Sequence, residues 1–256
     1  MRNIIAVLLA AALPLALAAC GQPKAEAVEL TVFAAASMQE TLDRCIEAYK
    51  AEAPNVTVTP TYDSSGTLKT QIENGADCDL FISAAQKQMD QLEGAFVLQG
   101  TRVNLLENKV VLAVPDANPA GIGSFSDLGT DKLTLLCIGN EDVPVGAYSL
   151  EILTALGILD TLENSGKLTY GSNVKEVTTQ VKEGTVDAGI IYATDAFSAN
   201  LTVVDQATGE LCRQVIYPAA VLNITKHEQT AKAFLAFLQS DAATEIFMSV
   251  GFAPAG

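Results

Sequence analysis

The chain has 256 residues, 49% hydrophobic but only 6% aromatic, enough apolar mass for one large domain or two small ones with cores of Ala, Val, Leu and Ile. A formal net charge of −15 argues against nucleic acid or an anionic membrane surface as the main partner. Gly and Pro are not in excess and there is no low-complexity tract, which argues against disorder beyond the ends.

The first segment reads as an address. Arg2 gives a positive start, and the 16 residues Ile4 to Ala19 run apolar, interrupted by Pro14. That length suits a signal-peptide core and is short for a spanning helix, so an uncleaved anchor is the weaker reading. The stretch Leu17-Ala18-Ala19-Cys20-Gly21 resembles the bacterial lipoprotein cleavage box, in which the cysteine becomes the new N-terminus and carries lipid. The resemblance implies that residues 1–19 are removed, that Cys20 is lipidated, and that the protein is exported to the outer face of the cell membrane. Residues 20–27 are polar and contain Pro23, as a flexible tether would.

From there strand and helix alternate. Val28–Phe33 is a predicted strand, and Met38–Glu52 a helix with Leu42, Cys45, Ile46 and Tyr49 on one face. A strand at Val56–Pro60, a helix at Thr67–Asn74, a strand at Leu80–Ile82 and a helix at Ala84–Leu92 follow. A long apolar strand, Lys109–Val114, leads to a turn-rich stretch and then to a strand at Leu133–Ile138. Helices at Gly146–Leu156 and Val174–Lys182, strands at Ala188–Tyr192 and Gln214–Leu222, and helices at His227–Leu238 and Ala242–Met248 complete the chain. The alternation predicts an α/β fold with a mostly parallel sheet. No Gly/Ser or Pro-rich linker interrupts it, so two domains joined by extended strands near 109 and 214 are expected. The first would comprise residues 28–109 and 218–256, and the second 110–217.

Four helix starts each follow a strand and carry small or polar residues. Ser37 with Glu40 spells a capping box. Ser64, Ser65 and Gly66 form a turn before Thr67, Pro144 fits the first turn of the helix after Val143, and Asn173 with Glu176 is a second capping box. Tyr192 ends the strand GIIY. Each has a plain structural reading as a cap, a turn or a packing residue. Together they describe helix N-termini converging outside the carboxyl ends of the strands, where open α/β sheets bind ligands. Such a site offers N–H and O–H donors and partial positive charge without Lys or Arg, so an acidic chain can still hold a small dianion. An exported serine hydrolase is the rival class, but there is no GxSxG elbow and His227 is the only imidazole. The absence of CxxC spacing argues against zinc.

The stretches TVFAAASMQETL, YDSSGTLKTQIENGADCDLFISAAQKQMD, NEDVPVGAYSLEILTALG, GSNVKEVTTQVKEGTVDAGIIYATDA and TEIFMSVGF resemble, in this order, the periplasmic molybdate-binding proteins of ABC transporters. The similarity runs from about Glu29 to the end. It implies a type II periplasmic-binding-protein clamshell, two α/β lobes joined by two crossing strands. The family binds molybdate and tungstate through two serines, backbone N–H groups and a tyrosine, which carry over to Ser37, Ser65, Val145, Val174 and Tyr192. Val145 departs from the family's frequent Ala. The Ser-Ser-Gly turn departs from a triple serine, which leaves Ser64 open as the alternative to Ser65. The resemblance also implies no cofactor, no direct cation ligand, an ABC permease as partner and, from the lipid anchor, a Gram-positive-like envelope; the missing elbow argues against enzymatic activity, and a clamshell that must be free to close suggests a monomer. Another oxyanion such as sulfate or phosphate, or an iron-type cargo, is the alternative within binding proteins. Four cysteines allow three pairings. Cys45–Cys78 with Cys137–Cys212 is the one that keeps each bridge inside one of these lobes and leaves closure free.

Overall fold

The computed structural model describes residues 26–255, so the leader, Cys20 and most of the tether lie outside the described residues. Strand β1 (Val28–Ala35) runs through a 3-10 turn (Ala36–Met38) into α1 (Gln39–Glu52); β2 (Val56–Asp63) leads into α2 (Ser65–Glu73), and β3 (Leu80–Ile82) precedes α3 (Gln86–Glu93). Strands β4 (Val103–Asn108) and β5 (Val110–Val114) are separated only by Lys109. The chain continues through β6 (Leu136–Gly139), α4 (Pro144–Ala155), α5 (Leu159–Asn164), β7 (Leu168–Gly171), α6 (Val174–Lys182), β8 (Ala188–Tyr192), α7 (Ala193–Ala199) and β9 (Thr202–Gln206). It then returns through β10 (Val215–Val221), α8 (Glu228–Leu238), α9 (Asp241–Met248) and β11 (Ala253–Pro254).

These strands form two sheets, ordered β11-β4-β10-β3-β1-β2 and β7-β6-β8-β5-β9. This is the expected two-lobed clamshell. The chain leaves the first sheet at Lys109 and rejoins it at Val215, three residues before the expected return at 218. The sheets are mixed rather than mostly parallel. β1 runs parallel to β2 and β3, and β6 parallel to β7 and β8. The strands flanking the crossings run the other way, β10 against β3 and β4, and β5 against β8 and β9. A strand that returns from the other lobe enters without a helical crossover, so nothing forces it parallel. The predicted strand Lys109–Val114 is accordingly the second half of a longer β4–β5 run whose first half, VNLLEN, shows no clear alternation.

The α1 face formed by Leu42, Cys45, Ile46 and Tyr49 is buried, as its 3.6-residue spacing dictates. Tyr49 packs 5.0 Å from the rings of both Phe234 and Phe237 on α8, so the C-terminal helices close over the first sheet. Each such aromatic pair adds about 0.5–1.5 kcal/mol beyond the area it buries.

The cysteine pairing is corrected: Cys45, Cys78, Cys137 and Cys212 are all free thiols. Cys45 belongs to the large core cluster under α1, whereas Cys78 belongs to a separate small cluster with Phe33, Leu68 and Phe81. Cys78 donates instead to the Leu80 carbonyl at 3.3 Å. Cys137 is buried within β6, and Cys212 is half-buried in the segment before β10. Burial pushes the Cys45, Cys78 and Cys137 thiols up to about 12, which keeps them protonated and unreactive. Exported protein denatured without reductant should therefore expose these four thiols to a colorimetric thiol reagent; two or none would restore bridging.

Candidate functional site

The carboxyl ends of the parallel strands carry the predicted site residues, each held by different local forces. Ser37 lies in the 3-10 turn after β1 and is 8% exposed. Its expected capping role is corrected. The residue that caps α1 is Met38, with no side-chain cap bond, and Ser37 Oγ lies 2.9 Å from the Tyr217 hydroxyl. After β2, Ser64 is the true cap: its Oγ accepts from Thr67 N–H at 3.1 Å and donates to Thr67 Oγ1 at 2.8 Å. Ser65 is fully buried, and its Oγ accepts from Ala84 N–H at 3.0 Å, which leaves the Ser65 hydroxyl proton uncommitted.

In the second lobe Pro144 is the first residue of α4 and Val145 the second, so Val145 N–H lies beyond reach of any helical carbonyl. Gly146 lets this turn settle on β6, because a Cβ there would lie 2.4 Å from the carbonyl oxygens of Gly139 and Asn140. Val174 opens α6 behind the expected Asn173 cap, whose Oδ1 accepts from Glu176 N–H at 3.1 Å. Glu176 reaches back to Ser172 N–H at 2.7 Å, one residue earlier than a standard box. Tyr192 ends β8 with its ring buried, and its hydroxyl makes a long 3.4 Å contact to the Ala84 carbonyl. Burial pushes its phenol well above the usual range, so it remains a neutral donor.

Contacts across the cleft join these five positions into one buried cluster. Ser65 and Tyr192, from opposite lobes, meet at the N–H and the carbonyl of Ala84. Gly66 N–H donates 3.0 Å to the Asp142 carbonyl, just ahead of α4. A Cβ on Gly66 would lie 2.4 Å from that oxygen, so the lobes can touch here only through glycine. Helix α6 packs against the 3-10 turn that carries Ser37. The Tyr192 ring stands edge-on to Tyr148 of α4 at 6.4 Å and to Tyr217 of β10 at 5.7 Å. A surface depression lined by Lys109, Thr208 and Arg213 includes none of the five.

The cluster presents two first-turn N–H groups and three hydroxyls, the donor set that can receive a small anion. The nearest cation on these elements, Lys175, is occupied: its Nζ lies 3.1 Å from Asp195 Oδ1 and 3.6 Å from Glu40 Oε1. Among the described residues no group of three or more His, Cys, Asp or Glu side chains is placed to hold a metal ion. His227 is exposed at the head of α8, outside the cluster. The sequence did not single out Tyr217, Asn108, Thr194, Ala84 or Asp195. The one available signal was Pro218 inside a strand, which marks the irregular pairing between Tyr217 and Pro218.

Over residues 30–253 the sequence matches the family described as bacterial extracellular solute-binding protein. It is 37% identical to YvgL of Bacillus subtilis, described as a candidate ABC transporter substrate-binding lipoprotein, over 88% of this chain and 86% of that one. It is 36% identical to the molybdate-binding protein ModA of Escherichia coli, covering 93% of this chain and 94% of the relative. The periplasmic molybdate-binding protein of Azotobacter vinelandii shares the fold, with a TM-score of 0.80 at 22% identity over 89% of this chain and 100% of that one.

Beside the cluster, Asp195 is 1% exposed, and its carboxylate has the Lys175 ammonium at 3.1 Å and no further polar partner. Burial pushes its carboxyl from 3.8 to about 6, with Lys175 pulling down and Glu40 pushing up. The folded state therefore binds more protons than the unfolded chain between these values, and this residue's contribution to stability falls as pH rises from about 4 through 6. Two pKa units correspond to about 3 kcal/mol at most. The melting temperature of Asp195→Asn minus that of the wild type should grow as pH rises from about 4 to 7 and level off above. A difference that is flat across this range would contradict the assignment.

Proposed function

The chain belongs to the family of bacterial extracellular solute-binding proteins, and from that premise we propose that it captures molybdate, with tungstate accepted alongside, and hands it to an ABC permease. The observation that carries this reading is the gathering of strand-end hydroxyls and first-turn N–H groups, with the Ser65 proton uncommitted, in a cluster whose neighbouring lysine is already paired. The hydroxyls of Ser37, Ser65 and Tyr192 and the N–H groups of Val145 and Val174 would hold the oxyanion. Hydrogen bonds to a charged group contribute about 1.5–3 kcal/mol each, so five of them outweigh the acidic surface without a countercharge. Ser65 is preferred to Ser64 because the Ser64 hydroxyl is engaged with Thr67 on both sides.

Binding would close the lobes, and the energy for closure comes from contacts made only in the closed form. No bond is made or broken. None of the five proposed ligands is a carboxylate that could take up the proton of hydrogenphosphate, which disfavours it against molybdate; sulfate is set apart by its smaller size. We take the protein to act as a monomer tethered through lipid on Cys20, in an envelope of Gram-positive type. The relation to a Bacillus subtilis chain described as a lipoprotein supports the anchor.

Calorimetry with molybdate, tungstate, sulfate and phosphate tests the ligand. Molybdate and tungstate should bind at micromolar concentration or tighter, and Ser65→Ala should weaken molybdate binding about tenfold or more. A protein silent to molybdate that binds sulfate or phosphate would overturn the reading. Incorporation of labelled fatty acid should vanish in Cys20→Ala; label that persists would remove the anchor.

A further inference from the structure

Behind Ser37 lies a chain of buried polar groups not included among the five proposed ligands. Asn108 ends β4, the residue before the crossing, and is 7% exposed; Tyr217 and Thr194 are 0% and 2% exposed. Asn108 Oδ1 accepts from Lys109 N–H at 2.8 Å. A backbone N–H can only donate, so this bond fixes which end of the amide is oxygen. The amide nitrogen then faces Thr194 Oγ1 at 2.9 Å and Tyr217 Oη at 3.2 Å.

An amide NH2 has protons to give and none to receive, so Tyr217 Oη is an acceptor on that side. Burial pushes the Tyr217 phenol well above its usual range, so it keeps its single proton. The Tyr192 hydroxyl is also hydrogen-bonded to Tyr217, a contact that holds the proton on Tyr192 and makes Tyr217 the acceptor there too; the partner left for the Tyr217 proton is Ser37 Oγ, 2.9 Å away. Ser37 Oγ therefore accepts from Tyr217, and its own proton points away from the chain. The irregular β4–β10 pairing between Tyr217 and Pro218 re-aims the strand at this point.

We propose that Asn108 is a positioning residue which, through Tyr217, fixes the proton order so that the Ser37 proton is free for the cleft rather than spent on Tyr217. The device favours ligands that accept at that position: one that brings its own proton leaves the Ser37 proton unused and can reach only the serine's one remaining lone pair. Its consequence for ligand choice rests on the molybdate reading; the proton order itself does not.

Asn108→Asp inverts the chain at almost constant shape. A carboxylate accepts, so Tyr217 would donate to the substituted side chain and draw the Ser37 proton inward. Tyr217→Phe removes the relay without adding charge. Circular dichroism and melting identify any variant that fails to fold, and Tyr217→Phe keeps the question open to test if Asn108→Asp does.

Two measurements decide. In mildly alkaline buffer hydrogenphosphate carries the same double charge as molybdate, so added charge or general loosening weakens both alike. The preference for molybdate over hydrogenphosphate should shrink about tenfold or more in Asn108→Asp and severalfold in Tyr217→Phe. An unchanged ratio in both variants overturns the proposal. Independently of any ligand, NMR of wild-type protein labelled at the tyrosine Cζ should find the Tyr217 hydroxyl proton with its strongest cross-relaxation to the Ser37 β-protons. A Ser37 hydroxyl proton directed at Tyr217 Oη overturns the order. A wild type that fails to bind molybdate contradicts the ligand reading, and the NMR result still decides the proton order.

Discussion

A helix that follows a parallel strand begins with amide donors that its own turn cannot satisfy, and much of this molecule is arranged around that shortage. Serine hydroxyls cap some of these donors, as at Ser64, or are held clear of them, as at Ser65 and Ser37. Glycines at 66 and 146 remove the side chains that would keep the helix starts from neighbouring carbonyls. In a buried locus of low dielectric these dipoles act far more strongly than the distant acidic surface. A net charge of −15 and an anion-receiving site are therefore compatible.

The crossing region does more than join two lobes. The strands there run antiparallel to their neighbours and bring Asn108 and Tyr217 behind the donor cluster, where Thr194 of α7 meets them. Tyrosine is scarce, six in the chain, yet three of them, Tyr148, Tyr192 and Tyr217, pack edge to edge at this junction. Rigid rings with one polar tip suit the place: they fill apolar volume and still direct a hydroxyl. Asp195 and Lys175 add an ion pair whose buried carboxyl has no polar partner beyond that lysine, a cost the fold carries beside the cluster.

Much of this was legible in the sequence, and the failures have physical causes. The α1 face and α6 followed from helical periodicity, because each buries one stripe of its residues; β3 and β8 are buried on both faces and showed instead as short apolar runs. Four of the five strand-end positions could be picked out as candidates because turn and helix-start chemistry is local. The Ser37–Glu40 box misled for the same reason: the pattern is local, whereas the group that takes the serine, Tyr217, lies 180 residues away. β7 and β9, at the edges of the second sheet, escaped because edge strands are short and half exposed. The Cys45–Cys78 pairing failed because membership of one lobe does not place two residues in one core cluster, and Cys137 and Cys212 remain unbridged although both adjoin the large cluster.

The central claim is that neutral donors on strand-end turns hold an unprotonated dianion with no cation in contact. A crystal structure with molybdate bound tests it most directly. The account predicts the oxyanion oxygens within hydrogen-bonding distance of the Ser37, Ser65 and Tyr192 hydroxyls and of the Val145 and Val174 N–H groups, with Lys175 still on Asp195. An anion seated elsewhere, or one that draws the Lys175 ammonium into direct contact, would contradict it.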